Sequence, residues 1–296
     1  MAQARAHLHH QMLEKGVLGL RPQRAGSAAP RVVNVADTDN TASKRVSELL
    51  GAILCENAGV QGLQDVAASD DPGSSFEALV RDYLTVCLDR LSSEGQRWTV
   101  RAGGSISDYA QYHHLQELKK LSEEYEELRI HLGADYLIRP DIVVFRDPLS
   151  DPAFGDDAIN EDDDVARATF LRRANSKYTQ SLPLIHASVS CKWTLRSDRA
   201  QNARTEALNL IRNRKGRTPA ITVVTAEPMP SRLASLADGT GDVDRVYHVA
   251  LYELQEAVEA FIAERPTMIH WQSDLARMVR GLRLADISDL PFDLLI

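Results

Sequence analysis

The 296-residue chain has no apolar run approaching the roughly 20 residues that a bilayer crossing requires. Its opening, MAQARAHLHHQMLEK, lacks the apolar centre of a signal peptide, so no membrane and a cytoplasmic location are expected. Cysteine is scarce. Cys55, Cys87 and Cys191 are odd in number and show no metal-ligand spacing, which reads as reduced residues in the core. A basic excess is also missing: the net charge of -8 argues against indiscriminate nucleic-acid binding. No internal repeat is visible. A hydrophobic content of 44% at this length does allow a substantial core, in one large domain or two small ones.

The distribution of charge says more than its sum. Asp151, Asp156, Asp157, Glu161, Asp162, Asp163 and Asp164 concentrate in one segment, and without these seven the chain is close to neutral. Residues 148–164 therefore read as a mobile acidic surface loop, whose charges repel in any compact arrangement. Arg172, Arg173, Arg196, Arg199, Arg204, Arg212, Arg214, Lys215 and Arg217 form a basic set that could meet phosphates.

The most informative stretch runs from His186 to Glu206. Its first half alternates, with His186, Ser188, Ser190, Lys192 and Thr194 on one face and Ile185, Ala187, Val189, Cys191 and Trp193 on the other, as in a half-buried strand with a polar working face. Its second half turns through Arg196–Arg199 into a helix whose inward stripe, Ala203, Ala207 and Leu210, is joined by Glu206. Lys192 and Glu206 can thus approach one pocket.

Elsewhere, residues 1–30 suggest an N-terminal helix or arm ending near Gly26, with His7, His9 and His10 solvated. Val32–Val35 suggests a short strand, and the polar turn ADTDNTAS leads into a helix over 43–57. Phe76, Val80, Tyr83, Leu84, Cys87 and Leu91 make the apolar stripe of a second helix. Glu77 lies beside that stripe, and the S-x-x-E spacing from Ser74 favours a capping box. A strand over 97–102 and a long helix over 107–132 follow, with Leu115, Leu118, Leu121, Tyr125 and Leu128 facing inward and His113 and His114 structural. Pro140 interrupts the β-branched run 135–147, which suggests an edge strand or a bulge that re-aims Asp141. Strands over 220–226 and 246–251, a short helix near Leu233 and two closing helices over 253–264 and 271–282 complete the pattern. This alternation predicts an α/β fold, with a central mixed β-sheet flanked by helices.

Asp141 and Glu206 are oxygen donors of the kind that hold Mg²⁺, and their approach would itself favour a divalent cation. A nearby Lys192 ammonium can lower the pKa of a metal-bound water or neutralise charge that develops on phosphorus. Proline-Asp and S-x-K pairs alone carry little information. Arg196-Ser197-Asp198-Arg199 adds two guanidinium forks that match guanine O6 and N7, and a carboxylate that can accept from cytosine N4. The simpler account makes Asp198, with Gln201, a helix cap and leaves the arginines in solvent.

Together, Pro140-Asp141, Ser190-Cys191-Lys192, Arg196-Ser197-Asp198-Arg199 and Glu206 resemble the NgoMIV-type restriction endonucleases, the branch of the PD-(D/E)XK superfamily that cuts sites with a CCGG core. The resemblance covers most of the chain and implies a single restriction endonuclease domain over 1–296. It implies two Mg²⁺ ions per active site, with Asp141 bridging them, Lys192 positioning or activating the attacking water, and Asp141, Glu206 and Cys191 as metal-binding positions. Ser190 occupies the usual carboxylate position two before the lysine, and Glu206 replaces that carboxylate. Glu77 matches the branch's N-terminal catalytic glutamate. Arg196, Asp198 and Arg199 would read the core, and Arg232 with Asp37 or Asp39 the outer base pair. The family also implies homotetramers that bind two double-stranded DNA sites, a target such as GCCGGC cut to leave 5′ overhangs, and a companion methyltransferase in the host.

Two other classes fit parts of the pattern. A non-specific repair nuclease would share the carboxylates and the lysine, but has no use for the Arg196–Arg199 segment. A regulatory DNA-binding protein would keep that segment and have no need of Lys192.

Overall fold

The computed structural model describes residues 1–23, 30–66, 71–92, 98–132, 138–154, 168–172, 181–239 and 241–296. Helix α1 (Ala2–Glu14) leads into a small hairpin in which β1 (Leu20–Pro22) pairs antiparallel with β2 (Arg31–Val33). Helices α2 (Thr41–Ala58) and α3 (Pro72–Leu91) come next, and then the strand β3 (Thr99–Ala102). Two short 3₁₀ turns lead to α4 (His114–Glu124) and α5 (Glu126–Leu132). The rest alternates: β4 (Ile142–Arg146), β5 (Leu184–Lys192), α6 (Ser197–Asn213), β6 (Ala220–Thr225), α7 (Pro230–Ala237), β7 (Arg245–His248), α8 (Leu251–Glu264), α9 (His270–Arg280), β8 (Leu284–Asp286) and α10 (Leu290–Asp293).

The main sheet has six strands in the order β3-β4-β5-β6-β7-β8. The pairs β3/β4 and β4/β5 are antiparallel, and β5 to β8 run parallel. Each parallel step needs a crossover, and α6, α7 and the α8–α9 pair provide them. Helices cover the sheet, which explains why β4 (IVVFR) and β6 (AITVVT) read as almost continuous apolar runs instead of alternating ones. The expected mixed sheet flanked by helices is therefore present.

Several local expectations change. Pro140 precedes β4, so its missing N–H removes no ladder bond, and β4 is an inner strand between β3 and β5. A register shift exists, but further along, between Val144 and Phe145. The polar face of β5 is covered, with Ser188 and Ser190 both buried. The single helix expected over 107–132 is broken into 3₁₀ turns and two helices, with extended backbone at Tyr125. Leu121 and Tyr125, expected to face inward, are exposed, so neither holds the two halves in line, and the Leu128 side chain lies outside the described residues. Arg97, Arg173, the first residues of the 135–147 run and most of the acidic segment lie outside the described residues. Asp151 is described, and it grips the buried Arg172 through bonds of 2.5 and 2.7 Å, which removes Arg172 from the basic set.

The first helix is bound into this body. Ala4, Leu8, Met12 and Leu13 are buried, and so is His9, expected in solvent, whose Nε2 lies 2.8 Å from the Val249 carbonyl. Arg5 spans two acids from far along the chain, bonding both oxygens of Glu253 at 2.8 and 2.6 Å and both oxygens of Asp286 at 2.8 Å. Removing the guanidinium would leave two buried carboxylates without their cation. Arg5→Leu is expected to cost about 3–5 kcal/mol in urea unfolding, and a loss below about 1 kcal/mol would show that solvent compensates the acids.

Candidate active site

The site is assembled at the junction of β4 and β5. Asp141 is the last residue before β4, and its main-chain carbonyl accepts the Gly103 N–H at 2.9 Å, which pins the entry to the strand. Antiparallel pairing then sets Ile142 opposite Val189, so the Asp141 carboxylate meets the end of β5. Its Oδ2 accepts the Cys191 N–H at 2.7 Å, the Lys192 ammonium at 3.0 Å and the Ser190 hydroxyl at 3.2 Å. The same hydroxyl lies 3.3 Å from Glu206 Oε2, so Ser190 stands between the two carboxylates. Glu206 arrives on α6, whose buried Ala200, Ala203, Ala207 and Leu210 press the helix inward. Asp141, Ser190, Lys192 and Glu206 are thus brought together as expected.

Glu77 joins them from α3. That helix starts at Pro72 and is capped by Asp71, whose side chain accepts the Gly73 N–H, so Glu77 is no part of a capping box. Phe76 is fully buried edge-on against Trp193, with ring centroids 5.1 Å apart, and this contact turns the neighbouring Glu77 into the cleft beside Lys192. The Glu77 carboxyl is raised by burial and then by Asp141, partly offset by Lys192. Glu206 is raised by burial as well, with Asp141 adding and Lys192 opposing. Burial disfavours the charge on Lys192, but Asp141 and Glu206 outweigh it and its pKa is raised. Lys192 is therefore an ammonium at neutral pH, a cation and proton donor instead of a base.

Three carboxylates around one ammonium leave an excess of negative charge that suits a divalent cation. Among the described residues no three His, Cys, Asp or Glu side chains form a closed metal cage. Asp141 and Glu206 instead offer an open oxygen set, of the type hard cations accept while keeping water and phosphate ligands. The Cys191 thiol is buried and pushed well up by that burial, so no thiolate is available, and only the main chain of Cys191 could contribute.

A cleft of about 490 Å³ opens over this cluster. Arg196 and Arg199 line it, together with Arg232 and Asp37. Asp198 is exposed in the first turn of α6 outside that lining, and it does not cap the helix: Arg196 is the N-cap and no side-chain cap bond is made. Asp37 and Arg232 form an ion pair, while Asp39 is exposed and gives its N–H to Asp37 Oδ1. Among its described residues, the basic set thus contributes Arg196 and Arg199 here.

Sequence reasoning missed Arg21 and Glu227. Arg21 on β1 lines the cleft, its charge opposed by burial and by Arg196 and Arg199, and nothing in LRPQR marks it. Glu227 is completely buried behind Arg232. An acid placed directly after the apolar run ITVVTA was a usable signal.

A mixed sheet that presents a proline-Asp, an S-x-K strand end and a helix glutamate to one cleft defines a restriction-endonuclease-like phosphodiesterase. Residues 8–296 match the family model for the NgoMIV restriction enzyme. The chain is 40% identical over 300 residues to the type II restriction enzyme NgoMIV of Neisseria gonorrhoeae, covering 99% of this chain and 98% of that protein. The chain belongs to the NgoMIV restriction enzyme family and is a type II site-specific deoxyribonuclease. That removes the regulator reading. Among the described residues no helix is long and apolar enough to cross a membrane.

The raised carboxyls carry a linkage consequence. A carboxyl whose folded-state pKa lies above its unfolded value binds more protons folded than unfolded, so its contribution is complete below the unfolded value and is lost as pH rises through the folded one. Without metal, Glu77 and Glu206 should make the protein less stable as pH rises above the ordinary glutamate range, and Mg²⁺ binding to the ionised cluster should restore it. Thermal melts of the wild type and Glu206→Gln check this. An equal Mg²⁺-dependent shift in both proteins would exclude Glu206 from metal binding.

Proposed function

We propose that this enzyme is a Mg²⁺-dependent endonuclease that cuts both strands of a palindrome with a CCGG core, GCCGGC being the expected target, and leaves 5′ overhangs. The observation that carries the proposal is that Arg196 and Arg199 line the same cleft as Lys192, Glu77 and Glu206, so base recognition and phosphodiester hydrolysis share one surface. The two guanidinium forks suit guanine O6 and N7, Asp198 suits cytosine N4, and Arg232 with Asp37 or Asp39 suits the outer pair. Asp37 is favoured over Asp39, because it alone of the two lines the cleft.

In this reading Asp141 and Glu206, with the main chain of Cys191, hold two Mg²⁺ ions. When bound, they supply positive charge to the scissile phosphate and a more acidic water. The chain's own groups do the rest. Asp141 is fixed by the Cys191 N–H, Ser190 spaces Asp141 from Glu206, and Lys192 as an ammonium orients the attacking water and stabilises charge on phosphorus as its bond to the leaving sugar oxygen breaks. Two-fold DNA symmetry requires a second subunit. A homotetramer engaging two duplex sites, in a cytoplasm where a companion methyltransferase protects host DNA, completes the proposal.

The test is digestion of a sequenced, unmethylated plasmid with Mg²⁺, beside EDTA and Lys192→Ala controls, followed by sequencing of the ends. Discrete ends within one CCGG palindrome, absent from both controls, are expected, and ragged ends without a shared site would overturn it. Lys192→Ala should lower cleavage by at least about 10²-fold while site-specific affinity remains. Arg199→Ala should lose about 1–3 kcal/mol of site discrimination, and unchanged binding ratios would remove Arg199 from the reader.

A further inference from the structure

Glu227 follows β6 and makes no contact with the catalytic carboxylates, yet its side chain is completely buried. Its Oε2 accepts the Leu195 N–H at 2.8 Å, and its Oε1 accepts the Met229 N–H at 3.1 Å. Leu195 immediately precedes Arg196, the N-cap of α6, and Met229 is the N-cap of α7, which carries Arg232. Neither helix has a side-chain cap of its own. Glu227 Oε2 also lies 3.8 Å from Arg232 Nη1, while the other end of that guanidinium is paired with Asp37. One carboxylate therefore holds the entrances of both helices that bring arginines to the cleft.

We infer that Glu227 is a positioning residue for target recognition, one that fixes the Arg196–Arg199 segment and Arg232 in a single spatial relation. The inference rests on the proposed reading of those arginines as base readers. It requires a carboxylate, because the groups its two oxygens meet, the Leu195 and Met229 N–H and the Arg232 guanidinium, are all donors. Glutamine has the same shape but only one accepting oxygen, and its amide would meet an N–H or the guanidinium. A buried N–H that loses its acceptor costs about 1–3 kcal/mol where it stands, so the segment that carries it is driven to a new position.

The same burial sets a pH range. Burial pushes the Glu227 carboxyl up to about 7, opposed by its main-chain bonds and Arg232 and reinforced by Asp37. The charged and titratable groups around it are Arg232 on α7, Asp37 after β2, Arg196 acting on Asp37, and His248 of β7, which lies against its main chain and stays neutral with a pKa lowered to about 4. The double acceptor is thus complete above about pH 7 and lost below it.

The experiment first takes the target from end sequencing of the wild-type digest. Dissociation constants are then measured at constant ionic strength, with Ca²⁺ in place of Mg²⁺, for that duplex and for duplexes altered at one inner or outer base pair, from about pH 6 to about pH 8. In the wild type the cognate-to-altered ratio should fall about 10-fold or more as pH is lowered. In Glu227→Gln the ratio should be low and flat, with affinity for altered duplexes within about 2-fold of wild type. A variant that discriminates like the wild type, keeps its pH dependence, or loses affinity equally for all duplexes would overturn the inference. If Glu227→Gln does not fold, the wild-type series decides, since a ratio unchanged across this range overturns it alone. A target without CCGG would defeat the proposed specificity and leave this test intact, because the duplexes are built from the target found.

Discussion

Everything at the cleft depends on how one carboxylate is received. Asp141 brings a negative charge to the start of β4, and the end of β5 meets it with a main-chain N–H, a hydroxyl and an ammonium. Strand pairing decides this, because side chains alternate with a period of two. A slip of β5 by one residue against β4 would turn Lys192 and Ser190 to the opposite face of the sheet and leave Asp141 facing apolar groups. Coverage of both sheet faces makes that slip costly, so the core enforces the geometry of the chemistry.

Helix α6 carries that order outward. It begins five residues after Lys192, and Arg199 and Glu206 lie seven residues apart on it, close to two turns, so both project toward the cleft from one rigid element. A displacement of α6 that disturbed the guanidinium would disturb the glutamate as well. The basic and the acidic side of the cleft are in this way mechanically linked through one helix.

Much of this was legible in the sequence wherever residues close in sequence share a strand or helix. Alternation placed Ser190 and Lys192 together, and helical periodicity brought Glu206 to the same side. The proline before Asp141 misled, because a missing N–H matters only if the residue lies within the ladder, and Pro140 lies just outside it. Glu77 looked like a cap because Ser74 stands at the right spacing, but Asp71 and Pro72 start the helix earlier. Arg21 and Glu227 escaped for a different reason. Their roles come from contacts with distant segments, and neither composition nor period encodes a neighbour that is brought close only by the fold. The three-residue strands β1 and β8 are too short to show any period at all.

The Arg5 bridge has a consequence for when the protein takes shape. It joins the first helix to Glu253 on α8 and to Asp286 281 residues later on β8, so the Arg5 guanidinium lacks the second of its two acids until β8 has been made. Contacts of such long range form late and slowly. The first helix is thereby tied to the edge strand of the sheet only once that strand has formed, so the two ends of this chain close on each other as one step.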